Sequence, residues 1–203
     1  MANTTWSPAD VSHIVLSGGN LVASSNFSAA GVRAVNGLSS GKYYWEYTLT
    51  TLGQFTNTVG LALIGASYAS LSGNMVGVVG LGTGSGDIWV NNTTSLASLG
   101  ARAQGNVSGV AADFTARLIW FRVAPSGNWN GSGAANPATG TGGVNISALS
   151  GALFPMFGVN GGGDVVTANF GDSAFVGAVP SGYTAGWPVS AVAVAQARVM
   201  VLA

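Results

Sequence analysis

Six carboxylates, one histidine and six tryptophans are the side chains of this 203-residue sequence that could do chemistry or recognition. The acids are Asp10, Glu46, Asp87, Asp113, Asp164 and Asp172. Glycoside cleavage needs two carboxyls flanking one bond, roughly 5 to 9.5 Å apart. A strand presents such a pair at alternate positions, but Glu46 has Tyr44 and Thr48 there. Asp164 and Asp172 stand beside turn glycines, where an aspartate bonds its local backbone. His13 is the single histidine and there is no cysteine, so a Ser-His-Asp or Cys-His site would rest on His13 alone. No G-x-S-x-G elbow occurs. The glycine clusters at 80–86 and 140–143 lack the lysine of a phosphate loop and open no helix. Asp87, Asn91 and Asn92, with backbone oxygens, form the set a calcium ion would use. The expectation is no catalytic residue, no metal and no cofactor.

The tryptophans point to binding instead. Trp45 and Trp89 fall in strand-like runs and read as core. Trp120 alternates with core positions and should face away from them, either under a loop or against another chain. Trp129 sits inside Gly-Asn-Trp-Asn-Gly, the context of an exposed ring that offers flat apolar area to a partner. The alternative is a ring folded back to anchor its own loop. The candidate contact set is therefore Trp129, Asn128, Asn130, Asn91, Asn92 and Trp120.

The elements that must position these residues read as strands. Thirty-two glycines exclude long helices, because each costs about 1 kcal/mol inside one. Residues 13–16 and 21–24 flank Ser-Gly-Gly-Asn as a hairpin, and 32–35 is a short strand. Residues 43–50 alternate, with Tyr43, Trp45, Tyr47 and Leu49 on one face and Tyr44, Glu46 and Thr48 on the other. Residues 59–64 are nearly all apolar, as in a strand covered on both faces. Further strands are read at 75–81, 87–90, 107–114, 117–123, 154–159 and 165–170. That implies about ten to thirteen strands, more than one open sheet holds without splitting, so two sheets pack face to face. A long uncharged segment, 124–143, interrupts the pattern as a functional loop or an insertion.

Only 6% of residues are charged, against roughly 25% in an average domain, and the net charge is zero. Six scattered cations cannot form the basic stripe that nucleic acid requires. Mean hydropathy is +0.43, yet no apolar run approaches the roughly 20 residues of a membrane span. So little charge repulsion favours association. The expectation is a chain that sits in an assembly, the alternative being an uncharged polar β-protein that does not. Candidate assembly contacts are Trp6 and, in the apolar tail, Val192, Val194, Val199, Met200, Val201 and Leu202.

An ordered set of motifs resembles the SPRY domain family. It runs from Ser40-Gly41-Lys42 and Tyr44-Trp45-Glu46 through Val59-Gly60-Leu61-Ala62 and the stretch 110–113. Ile119-Trp120-Phe121, Leu153-Phe154-Pro155 and Asn169-Phe170-Gly171 complete it. The match covers about residues 31–171 and is nearer the phage and bacterial structural-protein type. The resemblance implies an all-β, two-sheet antiparallel sandwich of the concanavalin-like jelly-roll kind. It further implies loops gathered as a contact surface, and no cofactor. The sequence departs from the pattern after Trp120-Phe121, where Arg122-Val123-Ala124-Pro125 enters the long loop, so binding residues of animal members do not transfer. The domain is expected at 1–172, with 173–203 a strand or extension docking on the sandwich or on a neighbouring chain.

The functional expectation is a non-enzymatic virion structural protein, in the tail, fibre or capsid surface, that binds copies of itself and other structural chains. Residues 1–16 lack the pattern of an export leader, which suits a particle made in a host cytoplasm. A lectin-like module holding a host surface glycan is the alternative, and a glycan-cleaving enzyme the weakest one. Neither nucleic acid nor membrane insertion is expected.

Overall fold

A computed structural model describes residues 2–27, 29–53, 57–69, 71, 75–96 and 99–189. The chain folds into two antiparallel sheets packed face to face. The strands are β1 (Trp6–Ser12), β2 (Ile14–Ser17), β3 (Val22–Ser25), β4 (Ala30–Ala34), β5 (Lys42–Thr51), β6 (Asn57–Leu63), β7 (Val78–Gly82) and β8 (Ile88–Val90). They continue as β9 (Thr93–Leu96), β10 (Val107–Asp113), β11 (Leu118–Ala124), β12 (Val144–Asn145), β13 (Leu153–Val159), β14 (Val165–Asn169) and β15 (Thr184–Ala185). The first sheet has the order β1-β4-β13-β6-β7-β8-β9 and the second β12-β11-β10-β5-β14-β3-β2. Two-sheet closure was the sequence expectation, and the two antiparallel sheets form a β-sandwich.

Strand β5 is the spine of the second sheet. Its alternation sends Trp45, Tyr47 and Leu49 into the interior between the sheets. There they meet Val59 and Leu61 of β6, Val79 and Leu81 of β7, and Phe157 and Val159 of β13. Ile119 and Phe121 of β11 point inward as the spacing predicts. Trp120 points the other way, yet it is fully buried, because a second layer of chain covers that outer face.

Three features depart from the sequence reading. Strand β1 went unread because Pro8 and Asp10 break its pattern. It survives at the edge of the first sheet, where a missing N–H is tolerated, with an irregularity between Trp6 and Val11. Trp6 is no assembly contact. Its ring is buried, stacked on Tyr47 at 5.9 Å and edge-on to Phe170 at 5.1 Å, and its Nε1 donates to the Leu21 carbonyl at 3.0 Å. Strand β7 starts at Val78, not at Met75, because Met75 and Gly77 hold φ of 57° and 74°, which no strand residue adopts.

After β14 the chain returns across the second sheet. Strand β15 pairs in parallel with Tyr43 and Tyr44 of β5. Trp187 then enters the core, 4.9 Å from Trp45 and 5.7 Å from both Tyr43 and Phe114, and its Nε1 donates to the Asn36 carbonyl at 3.1 Å. Residues 190–203, which hold the tail contacts proposed from sequence, lie outside the described residues.

Asp113 closes the β10–β11 turn. Its Oδ1 accepts from the Thr115 and Ala116 amides at 3.0 and 2.9 Å, and Lys42 Nζ lies 2.9 Å from Oδ2. Burial pushes this carboxyl upward, but the Ala116 amide and the Lys42 ammonium outweigh it, so its pKa falls below the usual value. A depressed acid contributes stability that is full above its unfolded pKa and is lost as pH falls through the folded one.

Two outcomes follow. Trp187→Ala should lower the unfolding free energy in urea by about 3–5 kcal/mol, the range for deleting a buried tryptophan. Asp113→Asn should flatten the loss of stability on acidification below the ordinary carboxylate range and leave the neutral-pH slope unchanged, read by denaturation at stepped pH.

Candidate functional site

Tyr44, Glu46, Trp120 and Arg122 share the outer face of the second sheet, placed there by the pleat of β5 and β11. With Trp129 they bring a carboxylate, a phenol, a guanidinium and two indoles together. Glu46 is 2% exposed. Its Oε1 accepts from the Tyr44 hydroxyl at 2.5 Å and the Gly177 amide at 2.7 Å, and its Oε2 accepts from the Val176 amide at 2.9 Å. Burial, reinforced by the Glu46 hydrogen bond, pushes the Tyr44 phenol well above its usual pKa. Arg122 donates from Nη2 to the Ala178 carbonyl at 2.7 Å, and its guanidinium lies 4.4 Å from the Trp129 ring centre. Gly177 leaves room for this contact. A Cβ there would stand 2.5 Å from Arg122 Nη2 and 2.7 Å from the Tyr44 hydroxyl.

Both charged side chains are thus engaged with the backbone of 176–178. The arrangement is a latch on the returning chain.

The sequence-selected contact residues are brought together, but mostly inward. Trp129 is half-buried, stacked on Arg122 and edge-on to Tyr44 at 6.3 Å, so the folded-back alternative describes it. Trp120 lies beneath the 124–143 segment, its Nε1 donating to the Thr141 carbonyl at 2.8 Å. Asn130 is buried at a φ of 48°. Its amide nitrogen donates to the Ile119 and Gly142 carbonyls, while its Oδ1 accepts from the Phe121 amide at 2.8 Å. It staples the long segment to β11 and is unavailable to a ligand. Asn128 is exposed. Asn91 and Asn92 form the β8–β9 turn at φ of 46° and 69°, and Asn91 Oδ1 accepts from the Gly77 amide at 3.0 Å. Asp87 and Asn91 flank opposite ends of β8, so the calcium set is not assembled. No cluster of three metal-ligating residues occurs among the described residues.

Asp164 also differs from its local-turn reading. It is fully buried, and its Oδ1 accepts at 2.8 Å from both the Gly53 amide and Asn57 Nδ2, ties that span more than a hundred residues. Arg102 is buried at the same end of the sandwich. Its Nη1 donates to Ser108 Oγ at 3.2 Å, and burial pulls its pKa down to about 10.

The open surface lies on the first sheet. Its outer face is apolar, with Ala62, Val78 and Met156 covered by Ala66, Leu71 and Met75 of the β6–β7 connection. Leu71 sits in a notch made by the paired Gly31 and Gly158, where a Cβ on Gly158 would stand 2.1 Å from the Leu71 carbonyl oxygen. One row nearer the sheet end, that cover stops. Ile64, Val76 and Phe154 line a groove of about 620 Å³ with Leu63, Ala66 and Ala152. Ile64 is 60% exposed and Val76 51%. None of the lining residues is charged. Sequence reading missed both exposed residues, assigning Ile64 to a doubly covered strand. The signal was the glycine after each, Gly65 and Gly77, which places an apolar side chain at a turn.

No protein-family profile matches this sequence, and no curated protein sequence matches it. Solved structures do. The SPRY domain of human HERC1 superimposes with a TM-score of 0.64 at 17% identity, covering 83% of this chain and 99% of that one. The PSpry domain of TRIM65 gives 0.59 at 16%, covering 82% and 92%. Stonustoxin gives 0.54 at 18%, covering 82% of this chain and 27% of that one. At these identities the likeness is one of fold.

Glu46→Ala tests the latch. It leaves two amides and a phenol without their acceptor, which should cost about 1–3 kcal/mol. Hydrogen exchange at the Gly177 amide should accelerate about tenfold or more, while amides of β6 and β13 change only with global stability.

Proposed function

We propose that this chain is a non-enzymatic protein-docking module whose contact surface is the groove at Ile64, Val76 and Phe154. The observation that carries the reading is the uncovered end row of an otherwise covered apolar face. Aliphatic side chains held in water are stabilised by a partner that buries them, at about 25 cal/mol per Å² of apolar area. A groove without charge selects an uncharged, apolar chain segment. SPRY-fold domains typically mediate protein–protein contacts, and that agrees with this use.

The setting we propose is a virus particle, with copies of the same chain and other structural proteins as neighbours. Composition supports it. A chain with 6% charged residues and zero net charge offers little repulsion between copies. The glycan alternative gains nothing from the geometry, since Trp129 is engaged by Arg122 and Asn130 by β11.

Sedimentation across a wide concentration range tests the reading. The chain should self-associate reversibly, and Ile64→Asp should weaken association about tenfold or more, as loss of one buried aliphatic contact predicts. Trp129→Ala should leave it unchanged. A monomer at every concentration, or association indifferent to Ile64→Asp, would overturn the proposal.

A further inference from the structure

We propose that the groove of one copy seats residues 190–203 of a second copy. The inference rests on the docking reading above and names the partner segment. Its first support is chemical fit. Eleven of these fourteen residues are Ala, Val, Met or Leu, and Arg198 is the one charge. The groove, lined by Ile64, Val76 and Phe154 and free of charge, matches that composition.

The second support is where the described chain leaves the body. The Thr4 amide donates to the Trp187 carbonyl at 2.9 Å, Asn3 bridges Pro188 in antiparallel sense, and the Val189 amide donates to the Ala2 carbonyl at 3.1 Å. The chain therefore runs back along residues 4 to 2. Trp6 pairs with Ala34 at the end of β4, so residues 2–4 and 188–189 lie at that end of the first sheet. The groove lies at this same end, beside the pairing of Leu63 with Leu153. Strands β4 and β13 stand between β1 and β6 in the sheet. At about 4.8 Å per strand, the exit and the groove are roughly 10–15 Å apart.

Fourteen residues extend to at most about 50 Å, enough to cross to a neighbour. The segment is seated on a neighbouring copy because so uncharged a chain, with zero net charge, offers little repulsion between copies. Each copy then offers one segment and one groove, a heterologous contact that closes into a ring or continues as a filament.

The absence of cysteine gives a clean test. A Val76→Cys variant is mixed with Val194→Cys, Val199→Cys or Leu202→Cys, one of the pair carrying a mass tag, and treated with a short bis-maleimide. The expected result is a covalent dimer of the two different variants for at least one segment position. Adding Ile64→Asp to the groove variant should reduce its yield about tenfold, matching loss of a buried aliphatic contact. Ile64 is mostly exposed, so this change leaves the core intact. No mixed dimer with any of the three positions overturns the inference. So does a crosslink confined to single molecules of the Val76→Cys/Val199→Cys double variant, which would seat the segment on its own body. Association that stays Ile64-dependent without such crosslinks removes this inference and leaves the docking reading standing. A chain that never associates removes both.

Discussion

Glu46 occupies a position that cannot stand alone. The pleat that sends Trp45 and Tyr47 into the interior sends Glu46 to the opposite face, and there it is sealed from water. A buried carboxylate without donors costs several kcal/mol or neutralises. The donors it has are the Tyr44 hydroxyl and two backbone amides from 130 residues downstream. The return of the chain after β14 is therefore part of the fold. It brings β15 beside β5 and delivers Trp187 into a cage of Tyr43, Trp45 and Phe114. It also fixes the place of residue 189, whose amide donates to the Ala2 carbonyl.

The two outer faces are finished unequally. The second sheet carries a double cover. The 124–143 segment is stapled by Asn130 and Trp120, and the 173–183 return is held by Glu46 and Arg122. The polar groups still exposed on that cover include Asn128, Ser132, Asn136 and Thr139. The first sheet has one cover, the β6–β7 connection, held down by Leu71 in its glycine notch. The connection leaves the terminal row of the face bare. The groove is thus a product of packing geometry, one row of aliphatic side chains wide.

This division explains what the sequence made legible. Alternation in β5 and across β10–β11 is a local signal, and the inward set Trp45, Tyr47, Ile119 and Phe121 follows from period two alone. The outward set was equally legible as a direction, but not as an environment. Whether Trp120 meets water, a loop or a neighbour depends on segments far along the chain. The same limit hid Asp164, whose glycine neighbours suggest a turn while its carboxylate ties together Gly53 and Asn57. Strand β1 was hidden by Pro8, because an edge strand forgives what a central strand does not. Ile64 was misassigned because composition cannot say which row of a face a covering loop will reach.

Charge completes the physical picture. Arg33 pairs with Asp10, Lys42 with Asp113, and Arg122 lies between Trp129 and the Ala178 carbonyl. Arg117 reaches the Leu149 and Gly151 carbonyls, and Arg102 is buried. These charged side chains thus serve the structure of the sandwich itself. Beside the exposed Asp172 and the partly exposed Lys42, the described surface carries backbone, amide and hydroxyl groups with a few apolar patches. Such a surface has little long-range field to steer or refuse a partner, so discrimination falls to shape and apolar contact at short range. Under the docking proposal, the exposed aliphatic row is where such a neighbour would attach.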